Sequence, residues 1–496
     1  MEAEPSALPT MASAIFNPAT NGGAVPFNEP GYASTGFLIW GAALVFIMAP
    51  GLGLFYSGMS RAKNALSLIM ITFLSIAVVS IQWVCFGFSL AFSESGNNFI
   101  GNFAYGGLTS IDAGALALTA PQIPGILFAL YQLQFATLTP GIIFGSVAER
   151  IRLIPAMIFI FCWTTIVYDP AAYWTWSARG WIKSFSCLDT LQSELPCAIG
   201  GYDFAGGGPV HIASGFAGLA YCIFLGRRRN PSGREEWKAH NLTHVFLGTA
   251  LLWFGWYGFN AGSAVAATPR AAMAGLVTTV AAATAGLSWT LWDYLFVHKG
   301  KVSGLGFCSG AVAGLVVITP AAGFVAPWAA IVMGIIGGIF CNMGCRLKNV
   351  FGFDDSLDAW GVHGFGGFLG NILTGIFAQK WVATLDGAVI NGGWMDQNWI
   401  QLGYQVGGSL AIAVWSFVIS YILLTIINFI PGLHIRPTED EELLGSDIQM
   451  GEVAYELMAT RTAHNLAVMA DRIHDENAPK NPAAVQSGAI EPMMKV

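Results

Sequence analysis

Two histidines lie inside apolar stretches where an ionisable side chain is costly. His211 sits in DFAGGGPVHIASGFAG and His363 in DSLDAWGVHGFGGFLG. Superposed on the histidines, both stretches carry Asp eight residues before, Val immediately before, and Gly, Phe and Gly four, five and seven residues after. Ionisable residues within membrane-length apolar runs mark pathways for ions or protons. A neutral imidazole has one donor and one acceptor nitrogen, so two facing rings can share a proton. For either histidine alone, hydrogen-bonded packing is an equal reading; their equivalent placement in a repeat favours function. An enzyme would need a nucleophile, a metal triad or a phosphate-binding loop beside them, and the sequence supplies none. We therefore expect no enzymatic activity, cofactor or metal.

The elements that must hold these residues are membrane helices. The chain of 496 residues is 54% hydrophobic and only 10% charged, against roughly a quarter charged in soluble domains. Sixty glycines suit helices that must approach closely in lipid. Apolar runs of spanning length fall at about 36–58, 66–92, 123–147, 153–175, 209–226, 242–263, 271–297, 303–320, 325–345, 359–379 and 401–431. The fold class expected is an all-α polytopic membrane protein with eleven transmembrane helices.

Loops after the odd-numbered runs carry Arg61, Lys63, Arg150, Arg152, Arg227, Arg228, Arg229, Arg234, Lys238, Lys299, Lys301, Arg346 and Lys348. The alternate loops carry only Arg179, Lys183, Arg270 and Lys380. The positive-inside rule then places the N-terminus outside and the C-terminus in the cytoplasm. His211 and His363 lie on the fifth and tenth runs. Five crossings apart, their two copies must run in opposite directions, which predicts a 5+5 inverted repeat plus one extra helix, with both histidines near the midplane.

Residues 1–35 form an extracellular N-terminal segment, 36–432 the membrane domain and 433–496 a cytoplasmic regulatory tail. The N-terminal segment lacks the basic stretch of a cleaved signal peptide. No basic cluster suits nucleic acid. Cys341 and Cys345 read as packing residues. Cys187 and Cys197 share a polar outer loop in which a disulfide is open to them. The Asn241 sequon falls on the inner side and is not expected to be glycosylated.

The segments DFAGGGPVH, GWYGFNAGSA at 255–264, GSVAERIR at 145–152 and DDSLDAWGVHGFGG at 354–367 closely resemble the ammonium transporter family (Amt/Mep/Rh). The resemblance runs from about Phe37 to Glu452; DPAAYWTW and the long acidic tail look most like its fungal Mep branch. It implies a plasma-membrane homotrimer whose subunits each pass ammonium or methylammonium. Matched by motif, Trp176, Phe135 and Ser263 form an outer recruitment site supported by Asp203. Phe135 and Phe259 close the pore, Trp256 is a pore-wall tryptophan, and His211 with His363 form a twin-histidine pair. The lead histidine, replaced by Glu in some fungal members, is retained. Asp203 also reads as the N-cap of its helix, and the two roles are compatible. Asp355, its counterpart in the repeat, lies on the opposite side and need not bind ammonium.

After Gly432 the composition turns acidic and polar. EELLGSD followed by GE resembles the family's tail that docks on the inner face, with Met450 where the family often has His. A short amphipathic helix is expected near 452–473. Thr438, before four acids, is a phosphosite candidate, with a solvated acidic linker as the plain alternative. A sensor signalling through the tail is the alternative to transport, with a signalling partner or kinase at that tail.

Overall fold

The computed structural model describes residues 29–111, 116, 118–184, 200–229 and 237–455. The described residues are helices, turns and loops, without strands. Eight helices are long and apolar enough to cross a membrane: α1 (Gly31–Met59), α2 (Ala62–Phe92), α3 (Gly125–Ser146), α4 (Leu153–Trp176), α5 (Gly207–Leu225), α7 (Pro269–Val297), α9 (Pro327–Phe351) and α11 (Gln401–Phe429). Three more occupy the remaining apolar runs: α6 (Leu242–Trp256, continued by Tyr257–Ala261), the shorter α8 (Gly304–Ile318), and α10 (Trp360–Gly364, continued by Phe365–Phe377). Helices suit lipid because they satisfy their own backbone groups.

Close packing depends on small residues. Gly310 and Gly314 on α8, and Gly334 and Gly338 on α9, lie against Ala281 and Ala285 of α7; a Cβ on Gly314 would come within 2.5 Å of Ala281 O. Spacing of small residues by four lets the three backbones approach without a hydrophobic drive between helices. Gly51 and Gly58 of α1 meet α6 in the same way.

The apolar runs do not reveal that many of these helices widen locally. Wide π-type turns occur at Trp83–Gly87, Thr164–Tyr168, Gly207–Ile212, Tyr257–Ala261, Asp293–Val297 and Trp360–Gly364. Two hold the histidines, and such turns frequently mark functional positions.

Loops after α1, α3, α5 and α9 converge on one face. There Arg61 pairs with Glu149 at 2.8 Å, Arg150 with Asp354 at 2.6 Å and Arg228 with Asp354 at 2.9 Å. The Trp237 ring lies between the Arg61 and Arg228 guanidinium groups, 4.3 and 4.2 Å from its centroid. Burial alone raises the Asp354 carboxyl, but hydrogen bonds and charge from Arg228 and Arg150 prevail and hold it below the ordinary carboxylate range.

Residues 433–455 dock on this face. Asp447 accepts from the Leu66 and Ser67 amides at 3.1 and 2.8 Å, next to the orphan donors that begin α2. Glu442 pairs with Arg436 at 2.9 Å and Arg229 at 3.8 Å, and Gln449 accepts from Leu153 N at 2.9 Å. Met450 packs, partly buried, against the core, so an apolar contact replaces the histidine of the family pattern. Thr438 caps the short helix Glu439–Leu444 in a capping box with Glu441, which gives the acidic stretch more order than a solvated linker. Residues 452–455 are not helical; the rest of the expected amphipathic helix lies outside the described residues, as do Cys187, Cys197, Arg234 and residues 1–28. Cys341 and Cys345 are free and buried. Asn241 caps α6, its side chain accepting from His244 N at 3.1 Å.

Candidate functional site

The opposite face opens into a vestibule of about 490 Å³ lined by Trp176, Asp203 and Ser263, together with Lys183, Arg270, Phe204 and Tyr202. Asp203 accepts from the amides of Gly206, Gly207 and Gly208 at 2.7, 2.8 and 2.6 Å. Three glycines in a row let the chain wrap the carboxylate: Gly206 has φ +120°, and a Cβ there would lie 2.7 Å from Val210 Cγ2. The N-cap is Gly206, rather than Asp203 as the sequence suggested; Asp203 reaches forward from three residues earlier and satisfies donors at the start of the helix. Burial pushes its pKa up to about 6 against the pull of these donors, so at pH 7 it is mainly a carboxylate. The Asp203 carbonyl accepts the Trp176 indole N–H at 3.1 Å and fixes that ring at the vestibule wall.

The floor is aromatic. Phe135 is 1% exposed; its ring stands edge-on to Trp176 at 5.9 Å and lies over Phe259 at 4.3 Å. Ser263 donates to the Phe259 carbonyl at 2.8 Å, and its oxygen lies 3.3 Å from the Tyr131 hydroxyl. Tyr131, one turn before Phe135 on α3, donates to the carbonyls of Gly258 and Phe259 at 2.8 and 3.0 Å. It ties α3 to the wide turn of α6 that carries Phe259. The sequence analysis passed Tyr131 over; its place one turn before an aromatic site residue was the available signal.

Below Phe259 the rings continue nearly parallel. His211 stacks against Phe259 at 6.0 Å and 24°, and against Trp256 at 5.6 Å and 18°. Trp256 is held by its indole N–H on Thr319 Oγ1 at 2.9 Å, a partner the sequence reading also missed. His211 Nδ1 and His363 Nδ1 are 3.1 Å apart, and the two residues are 0% and 4% exposed. Of two nitrogens at that distance one must carry the hydrogen. One ring is therefore protonated at Nδ1 and bears a free Nε2 lone pair, while its partner bears the proton on Nε2. His211 Nε2 is buried without a hydrogen-bond partner. Beyond His363, a cavity of about 20 Å³ is lined by Tyr56, Trp289, Leu357 and Val362 among others, room for a molecule the size of water.

The two histidine segments pack in a similar way. Asp355 accepts from Trp360 N at 2.9 Å and Gly361 N at 3.3 Å, reaching amides at the start of the His363 helix as Asp203 does for that of His211. A Cβ on Gly215 would collide with the Gly364 backbone, and one on Gly367 would lie 2.8 Å from His211 Cβ and 2.9 Å from Gly207 O. The glycine four residues after each histidine thus lets α5 and α10 cross where the imidazoles meet. Asp355 lies in the loop of the tail face and is away from the vestibule lining.

A bundle of apolar helices with an open vestibule, an aromatic floor and a buried ionisable pair in line defines a membrane transport protein. The Ammonium Transporter Family profile matches residues 36–455. Ammonium transporter 1 of Schizosaccharomyces pombe is 45% identical over 442 residues, covering 88% of this chain and 85% of its own. Ammonium transporter MEP2 of Saccharomyces cerevisiae is 43% identical over 433 residues, covering 86% and 83%. The crystal structure of Candida albicans Mep2 superposes with a TM-score of 0.77 at 43% identity, covering 87% of this chain and 92% of that one. The chain belongs to the ammonium transporter family.

Proposed function

We propose that this protein carries ammonium and methylammonium across the plasma membrane through the line of residues running from Trp176 to His363. The observation that carries the reading is that line itself: the vestibule, the Phe135–Phe259 pair at 4.3 Å and the His211–His363 pair at 3.1 Å follow one another without a break. The chain crosses the membrane eleven times as a 5+5 inverted repeat plus one helix, with the vestibule outside and the tail in the cytoplasm. Residues 1–35 are extracellular, 36–432 are the transport domain and 433–496 are regulatory. The subunits form a homotrimer, each with its own pore. The two sequence relatives compared above are named as ammonium transporters, which favours transport over sensing and speaks against an enzyme.

A cation in the vestibule faces the rings of Trp176 and Phe135, an attraction of about 0.5–2 kcal/mol, and Ser263 Oγ accepts one of its hydrogens. Asp203 acts from below, through its charge and by holding Trp176. Moving a bare cation past Phe135 and Phe259 costs tens of kcal/mol by the Born argument, so ring attraction cannot drive it. Deprotonation to vestibule water removes that cost, and the proton then moves as a charge separate from ammonia. Neutral ammonia passes the two rings, which must swing aside, and reaches the histidines. The proton travels separately along the imidazole pair, because the free Nε2 lone pair at one end and the Nε2–H at the other let a proton enter one ring as another leaves the second. Uptake is electrogenic. In proteoliposomes an ammonium gradient should drive inward current in the wild-type protein and much less in folded His211→Ala; wild-type liposomes that take up methylammonium without current would overturn the electrogenic step.

A further inference from the structure

The vestibule proposed above to recruit a cation already holds one. Lys183 lines the same cavity as Trp176, Asp203 and Ser263, and its Nζ donates to the Trp176 carbonyl at 3.1 Å. Trp176 is thus gripped twice, by Lys183 at its backbone and by Asp203 at its indole. Among the described residues, three charged side chains line the cavity: Asp203, Lys183 and Arg270. Arg270 is neutralised by Asp386 at 3.2 Å, sits between the Phe204 and Phe324 rings at 4.9 and 4.8 Å, and donates to Gly323 O at 2.7 Å. Lys183 makes no ion pair with a carboxylate among the described residues. Burial lowers the Lys183 pKa and the nearby charge of Glu94 raises it; Glu94 Oε1 accepts from the amides of Leu118 and Thr119 at 3.0 and 2.8 Å.

Resting on the transport reading, we infer that Lys183 is a resident ammonium group that sets the vestibule's affinity for its cation: it offsets the Asp203 charge and weakens recruitment. An alkylammonium and the transported cation carry the same charge, so in one cavity they compete for the field of the Asp203 carboxylate. Like charges sharing a cavity of this size repel even in a wet mouth. Arg270 is neutralised by Asp386 from outside the lining, so the two charges left facing the vestibule are Asp203 and Lys183. Without it Asp203 stands alone, and the mouth attracts cations.

The test is the half-saturating concentration for methylammonium uptake in proteoliposomes of full-length protein, for wild type, Lys183→Met and Lys183→Arg. Lys183→Met keeps the stem and removes the charge; it should lower the half-saturating concentration about three- to ten-fold at low salt, and the gain should shrink as ionic strength rises. Lys183→Arg keeps the charge and should stay near wild type. An unchanged or higher half-saturating concentration in Lys183→Met would overturn the inference, as would a Lys183→Arg protein that matches Lys183→Met. If Lys183 only props Trp176, both variants should lose maximal rate without gaining affinity, which also overturns it. Failure of wild-type protein to take up methylammonium at all would sink the transport reading instead, before Lys183 is examined.

Discussion

At the residue scale, chemistry is concentrated in groups that lipid would not tolerate without partners. Asp203 is satisfied by three amides and one turn of glycines. Asp203→Asn keeps the shape but turns one acceptor oxygen into a donor amine against those N–H groups. The cost is about 1–3 kcal/mol, and we expect uptake at fixed methylammonium to fall about ten-fold or more. The same carboxylate gives a pH dependence. Its pKa is raised to about 6, so the charged form is complete well above that value and is lost as external pH falls through it. Initial uptake should therefore decline between pH 7 and pH 5 in wild type, where ammonium itself stays protonated. In Asp203→Asn that decline should disappear; a decline of equal size would assign the pH dependence to another group. Thr319→Val tests the wall in the same way. It removes the partner of the Trp256 indole N–H, and about 1–3 kcal/mol of stability should be lost, read as a lower midpoint in thermal unfolding in detergent.

At the element scale, the crossing of α5 and α10 brings the imidazoles to 3.1 Å. Gly215 and Gly367 are indispensable to it, because a Cβ at either would meet backbone of the other helix. Gly215→Ala should reduce the yield of folded protein, measured as a single peak in fluorescence-detected size exclusion. Gly36→Ala on the same scaffold should not, since a Cβ there meets nothing within 4 Å. What could be read from sequence at this scale was the pairing: His211 and His363 share Asp, Val, Gly, Phe and Gly at matching offsets, and ionisable residues in apolar runs draw attention by cost alone. The wide turns that carry them were not legible, because apolar composition is the same for an α-turn and a π-turn. Nor were the grips of Tyr131 on the α6 carbonyls and of Thr319 on Trp256. Both join residues far apart in sequence, and only the folded helices bring them together.

At the scale of the whole molecule, the two faces do different work. The vestibule face gathers the loops after α2, α4, α6, α8 and α10, while the tail face gathers basic loops, Asp354, Glu149 and residues 433–455. The alternation of charge between loops foretold two faces; the particular ion pairs did not follow from it, since any arginine of the tail face could have met any acid there. Asp447 holds the tail by two amides at the start of α2. Asp447→Ala should free residues 433–455, seen as faster amide hydrogen exchange across that segment and across Leu66–Ser67, with the vestibule unaffected. Protection unchanged from wild type would mean that Glu442 and Gln449 hold the tail without it.

The central claim is that the ring stack from Phe135 to His363 is one pathway in which ammonia and a proton part and travel separately. Solid-supported-membrane current from oriented proteoliposomes, recorded on an ammonium jump, tests it most directly. Wild type should give a sustained current, and His211→Ala/His363→Ala, folded by size exclusion, should lose the imidazole relay and with it that current. A double variant that carries an undiminished ammonium current, with the same ion selectivity as wild type, would contradict the account.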